Sequence, residues 1–107
     1  MANSFKNAKV DLTTTNATTL YTAPNTARAI IKSILVSEDS GNADTITVTL
    51  TNASSAVFSL FKVKAVAANT TIELLTAPLV VTESEIIKVT AATANRLHVV
   101  ASVLEVS

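Results

Sequence analysis

The sequence predicts an all-β protein: a single antiparallel β-sandwich or jelly roll of about eight strands. Three observations carry that expectation. Apolar and polar residues alternate with period two along much of the 107-residue chain, which marks strands with one buried and one wet face. The alternating runs are separated by groups of Pro, Gly, Asn, Asp and Ser, the residues of turns. No segment sustains an apolar period of 3.6. The alanine-rich pieces "KAVAANT" and "VTAATANRL" leave room for one helical turn at most.

Taken in order, residues 1–9 read as an N-terminal arm that runs into a short strand at Ala8–Leu12, and a second short strand is expected at Thr18–Thr22. Pro24, in "APN" (Ala23–Asn25), pre-sets the backbone angle of a turn. Ala29–Ser37 is densely apolar, with only Lys32 and Ser33 as breaks, and reads as a central strand covered on both faces. "SEDSGNAD" (Ser37–Asp44) is a polar loop around Gly41, the chain's single glycine. Thr45–Thr51 is the cleanest alternation, with Ile46, Val48 and Leu50 on one face and threonines on the other. Threonine suits the wet face because it is β-branched and stiff.

After the tight connection "TNASS" comes Ala56–Val66, with Val57, Phe61 and Val63 opposite Phe58, Leu60, Lys62 and Lys64. Short strands are expected at Thr70–Leu75, ended by "TAP", and at Glu85–Thr90. Leu97–Val106 closes the chain. Leu97, Val99, Ala101 and Val103 lie on one side, and His98, Val100, Ser102, Leu104 and Val106 on the other. No repeat, linker or low-complexity tail interrupts this, so residues 1–107 read as one domain.

Composition excludes several functions. Eight Lys+Arg balance eight Asp+Glu for a formal net charge of +0, so no field of one sign exists to hold nucleic acid or an anionic membrane. With no cysteine, neither disulfides nor thiol chemistry enter. "MANSFKNAKVD" has no apolar run behind its lysines and does not read as a signal peptide, and no stretch approaches the roughly 20 apolar residues of a membrane span. Hydrophobic residues reach 49% while charged ones are only 15%. Such a surface is at ease against other protein, which points to an oligomer or a part of a larger assembly.

Chemistry is sparse. The lone histidine, His98, sits in an apolar strand, and a general base there needs a positioned nucleophile and an orienting acid. A sheet-surface histidine is the plainer reading, and without cysteine or further histidines no metal site is expected. "ESE" (Glu83–Glu85) with Glu73, and "DSGNAD" (Asp39–Asp44), are carboxylate clusters without the ligand spacing of a calcium loop. Three sequons begin at Asn16, Asn52 and Asn69, by-products of a Thr- and Asn-rich chain. A sugar platform needs exposed aromatics, yet the chain has no Trp and one tyrosine, Tyr21. Lys32, Lys62, Lys64 and Lys88 are scattered over three strands and read as solvent-facing or edge-protecting charges. No enzyme activity, cofactor or small-molecule substrate is expected.

"LYTAPNTARAIIKSILVSEDSGNADTITVTL" (Leu20–Leu50) resembles a pattern that recurs in small structural proteins of tailed bacteriophages. In that pattern a Leu-Tyr-Thr-x-Pro turn leads into an Ile/Val-rich strand, an Asn/Ser/Gly loop and a strand of alternating Thr and Val. "NTTIELLTAPLVVTESEIIKVTAA" (Asn69–Ala92) and "VVASVLEVS" (Val99–Ser107) resemble its later parts, and "MANSFKNA" resembles the opening of such proteins in marine cyanophages. Asn25 and Thr82-Glu83 stand where that pattern often has a glycine and a Gly-Asp. The resemblance implies an accessory virion component made in the host bacterial cytoplasm. It would be a capsid decoration (cement) protein or a neck, tail or fibre-associated subunit. Its partners would be major capsid, portal/neck or tail proteins and further copies of itself.

Such a protein works by multivalent packing, in which symmetry repeats a modest contact. Interface energy concentrates in large side chains, which makes Phe5, Tyr21, Phe58 and Phe61 the candidate anchors. Phe58 and Phe61 cannot share a face of an unbroken strand, so one of them is expected in the core. The alternative function is a receptor- or glycan-binding module at a fibre or tail tip, which requires an aromatic or acidic pocket in loops such as Ser37–Asp44. A third reading, an enzyme centred on His98, requires a cleft with a carboxylate within reach of that ring.

Overall fold

The computed structural model describes residues 3–107, and these are strand, turn and loop without helix. The strands are β1 (Asn3–Asp11), β2 (Thr18–Thr22), β3 (Arg28–Glu38), β4 (Asp44–Thr51), β5 (Val57–Val66), β6 (Thr71–Glu73), β7 (Leu79–Val81), β8 (Ile86–Ala91) and β9 (Leu97–Val106). They make two antiparallel sheets. One runs β1-β9-β3, with β6 and β7 both paired to the far edge of β3, and the other runs β2-β8-β4-β5.

The topology is one long hairpin rolled up. Its tip is the turn between β4 and β5, and moving away from the tip the two arms pair as β4–β5, β3 with β7 and β6, β2–β8 and β1–β9. Rolling then brings β9 against β3 and β8 against β4, closing each sheet. This is the jelly-roll arrangement. The ninth strand arises because the partner of β3 is interrupted into β6 and β7.

Alternation places the core as expected on four central strands. Ile31, Ile34 and Val36 of β3 and Leu97, Val99, Ala101 and Val103 of β9 face Ile46 and Val48 of β4 and Ile87 and Val89 of β8, all fully buried. Ile31 and Ile34 are three residues apart, which strict alternation forbids. A bulge between Ile31 and Ser33 in the pairing with β9 resets the phase. A second bulge between Thr19 and Tyr21 turns both Leu20 and Tyr21 of β2 inward.

Several expectations need correction. The segment expected as an arm up to residue 9 is, over residues 3–9, part of β1, paired with β9 throughout. β3 is central but covered on one face only, for Leu35 is 41% exposed on the other. β5 does not alternate regularly. Two register shifts against β4 put extra residues into it, and Val63 takes a left-handed φ of 53° while its N–H donates to the Thr47 hydroxyl at 3.1 Å. Only Val66 of this strand is buried. No strand was expected at β7, whose short "LVV" follows a proline.

Carboxylates repair the places where strands stop pairing. Between β6 and β7 the Ile34 N–H has lost its neighbour strand, and it donates instead to Glu73 Oε2 at 2.7 Å. The Leu75 N–H joins the same oxygen at 3.2 Å, and the Ser33 hydroxyl donates to Oε1. Burial pushes the Glu73 carboxyl up, but these donors outweigh it and hold it below its ordinary value. Across the mouth between β1 and β2, the Tyr21 hydroxyl donates to Glu105 Oε2 at 2.6 Å, and Lys6 Nζ lies 3.0 Å from Oε1. Hydrogen bonds from Tyr21 and then Lys6 lower the Glu105 carboxyl, while burial and that same hydrogen bond raise the Tyr21 hydroxyl.

The core argument sets a stability expectation. Ile34 is 0% exposed, so Ile34→Ala removes a buried branched side chain and leaves a cavity costing about 2–5 kcal/mol. Thr49→Ala, on the outer face of β4, costs about 0.5 kcal/mol or less. Urea unfolding of both variants checks the difference.

Candidate interaction surface

The two sheets present unlike outer faces. On the β2-β8-β4-β5 sheet, cross-strand lines read Thr22–Ile86–Thr51–Val57 and Thr19–Lys88–Thr49–Ser59, mostly hydroxyl and amine. On the other sheet the residues alternating with the buried set of β1, β3 and β9 make a different pattern. Phe5 pairs with Leu104, Leu104 with Ile30, and Ile30 with Val80. Directly opposed residues share a face, so these four side chains form an apolar line across the whole sheet. Phe5 is 78% and Val80 56% exposed.

Toward the opposite end of the strands, the next lines are Asn7–Ser102–Ser33, then Lys9–Val100–Leu35–Glu73, then Asp11–His98–Ser37–Thr71. Val100 and Leu35 add exposed apolar surface, flanked by one cation and one anion. Leu104, Ile30, Val80, Val100 and Leu35 were not among the expected anchors. Their signal was present in doublets, Ile30-Ile31, Val99-Val100 and Val103-Leu104, in which both faces of one strand are apolar.

The four expected anchors are dispersed. Phe5 stands on this apolar line. Tyr21 lies in the core with its hydroxyl held by Glu105, and gives nothing to the surface. Phe58 is 53% exposed on β5, near Val57 and Val63, which are also exposed. Phe61 is half-buried and packs against the core with Leu60, beside Leu75 and Leu79. The premise of an unbroken strand fails, because the register shift between them sets Phe58 opposite Leu50 and Phe61 opposite Val48 on the same face of β4, and Phe61 packs against the core while Phe58 stays exposed.

Loops gather at one end of the sandwich. Glu38, at the end of β3, is 2% exposed and organises them. Its Oε2 accepts from the Ser40 N–H at 2.9 Å and from the Ser40 hydroxyl, and its Oε1 accepts from the Gly41 and Asn69 N–H groups at 3.1 Å each. The Ser40 hydroxyl first, with the backbone donors, outweighs burial and holds the carboxyl at about 2. Asn69 adopts a φ of 55° to present its N–H, a conformation asparagine tolerates. Asp44 accepts from the Thr93 N–H at 3.1 Å, and Arg96 donates to the Ala43 carbonyl at 2.9 Å.

His98 lies at this end on the outer face. Its Nε2 is 3.2 Å from Asp11 Oδ1 and its Nδ1 is 3.5 Å from Asp39 Oδ2. A carboxylate is therefore within reach of the ring, as the enzyme reading required, but the ring lies on an open sheet face and both nitrogens are engaged. Among the described residues no group of three or more His, Cys, Asp or Glu is arranged to hold a metal ion. In the β4–β5 turn the Asn52 side-chain oxygen accepts from the Ser54 and Ala56 N–H groups at 3.0 and 2.9 Å, so that sequon asparagine has a structural task.

No family model and no curated protein matches the chain. Solved structures share its fold. One is a chain from Bacillus endospore appendages, described as disulfide-linked pili, with a TM-score of 0.60 and 11% identity over 98% of this chain and 88% of that one. Another is a chain of infectious bursal disease virus, Gx strain, with a TM-score of 0.58 and 10% identity over 96% of this chain but only 32% of that longer one. A third, from the cyanophage Pam1 capsid asymmetric unit, reaches a TM-score of 0.44 and 20% identity over 96% of this chain and 83% of that one. The last falls below the level of a shared fold.

The loop end sets a pH expectation. Glu38 is held at about 2 against an ordinary 4.5, so its stabilisation is fully present above pH 4.5 and is lost as pH falls toward 2. Glu73 and Glu105 are lowered too and act in the same direction. The melting temperature should fall across that window. Glu38→Gln should melt lower at neutral pH and show a shallower acid slope. An unchanged slope in the variant would show that Glu38 does not carry the effect.

Proposed function

We propose that this chain is a non-enzymatic structural component of a tailed-phage virion, a capsid decoration protein or a neck or tail accessory subunit. It acts through repeated protein–protein contacts. The observation that carries the reading is the apolar line Phe5–Leu104–Ile30–Val80 across an outer sheet face. Contiguous exposed apolar surface on a small domain marks a binding surface. Val57 and Phe58 of β5 are exposed as well, but on opposite faces of that strand. The sequence resemblance to phage structural proteins supports the same reading. The jelly roll itself serves many functions and decides none.

The rival binding-module reading finds less support. The Ser37–Asp44 loop holds no aromatic residue, the chain's one tyrosine is in the core, and Glu38 is fully occupied by backbone and serine donors. Localisation in the virion, synthesis in the host cytoplasm, and contact with capsid, portal or tail proteins belong to this proposal.

Immunogold labelling of gradient-purified particles from cells producing the chain tests it. Label at a regular position on intact particles is expected, and that position separates a head site from a neck or tail site. Chain found only in the soluble fraction, with bare particles, overturns the reading.

A further inference from the structure

We propose that the outer face of the β1-β9-β3-β6/β7 sheet docks a second copy of this chain. The two copies would be related by a two-fold axis that runs along the strands between β9 and β3. The inference deepens the assembly reading above, and rests on it, by naming the contact surface and its partner.

β3 and β9 carry apolar residues at both parities, the composition of strands covered on both faces. The folded chain covers one face. The other shows Ile30, Leu35, Val100 and Leu104 in the middle of the sheet, with Phe5 and Val80 at its edges. Antiparallel sheets ordinarily make their solvent face polar, as the threonine-rich sheet of this same molecule does.

The face is also self-complementary. A two-fold along the strands lays each cross-strand line over its own reverse, exchanging β9 with β3 and β1 with β6 and β7. Phe5 then meets Val80, and Leu104 meets Ile30. The line Lys9–Val100–Leu35–Glu73 reverses so that Lys9 meets Glu73 and Val100 meets Leu35. Asp11 falls over Thr71 and His98 over Ser37, and Lys32 falls over the Ser102 line. At the end of the sheet Arg28 falls over Val106, with Arg28 ion-paired to Glu83 at 3.5 Å, and no charge meets its like. The other in-plane two-fold, across the strands, sets Phe5 over Lys9, Val80 over Glu73 and Lys32 over itself, burying charge against apolar surface. Like charges and unpaired buried charges disfavour that arrangement. Aligned face-to-face packing is the arrangement twisted sheets favour.

Four strands about 4.8 Å apart and nine residues at about 3.4 Å give a flat footprint of roughly 500 Å². Side-chain relief raises the accessible area above that, toward the about 800 Å² per partner of a standard interface.

Sedimentation velocity over a concentration series tests the pairing. The expected result is a reversible dimer. Leu104→Lys and Ile30→Lys should each weaken it at least tenfold with circular dichroism unchanged, and the exposed Val80→Lys provides the same reading if either of those fails to fold. Thr49→Lys, on the other sheet, should leave it intact. The chain has no cysteine, so the Phe5→Cys, Val80→Cys double variant reports geometry directly. Its two thiols lie too far apart within one chain to join, and oxidation should yield covalent dimer. A monomer at every concentration, a trimer, or a dimer indifferent to the outer-face lysines overturns the pairing. Cross-linking by Phe5→Cys with Lys9→Cys in place of the first pair does so as well. The two readings fail separately. Labelled particles with a monomeric chain remove the pairing alone, and a dimer with bare particles removes the virion reading.

Discussion

The pairing of β9 with β3 is the constraint on which the rest depends. These strands are joined over Arg28–Glu38 and Leu97–Val106, and the paired residues are far apart in sequence, from Glu38 with Leu97 to Arg28 with Val106. Until they meet, the first sheet is two separate ribbons, β1 with β9 and β3 with β6 and β7, and its inner and outer faces are not assembled. Within the rolled hairpin only β4 and β5 are neighbours both in sequence and in a sheet. Folding must therefore close long loops before most hydrogen bonds form, which places this chain among slow, high-contact-order folders. Charged groups at the weak points of that closure are consumed locally. Glu73 completes the broken ladder on β3, Glu38 gathers the loops, and Glu105 ties the sheets together through Tyr21.

This explains how so few charges suffice. With 15% charged residues, several carboxylates are committed to internal donors, and the solvent face of one sheet is left to threonine. Hydroxyls keep that face wet without net charge, and their β-branched stems keep its strands straight. The facing sheet has no such provision. The asymmetry lies in composition strand by strand, and it is the reason an interaction surface can be located on a molecule with little chemistry.

Much of the fold was legible because period-two alternation is a direct image of a strand with one buried face. Thr45–Thr51 and Leu97–Val106 come out with the predicted residues inside, residue by residue. What failed was governed by register. The bulges of β5 and the phase change in β3 are decided by pairing with a distant strand, and nothing within eleven residues announces them. β1 was hidden for a related reason. Its inward-facing row mixes the small Ala8 with Lys6, its outward row includes Asn7 and Lys9, and only the presence of β9 beside it makes it a strand. The interaction surface was half legible. The doublets in β3 and β9 were read as two-sided burial, whereas the folded chain covers only one face and leaves Leu35 and Val100 exposed on the other. Tyr21 was chosen for size, whereas the bulge before it turns it inward.

The pairing of Asn3 with Val106 places both ends of the described chain side by side, at the end of the sandwich away from the gathered loops. Tension applied between those two ends acts across the β1–β9 ladder at its last rung. Antiparallel hydrogen bonds lie perpendicular to the strands, so they would open singly, as a zipper does, rather than resist together in shear. The molecule is thus mechanically soft when pulled by its ends. A load carried across its broad faces is shared by both sheets and the core between them, which is the direction in which a tile is strong.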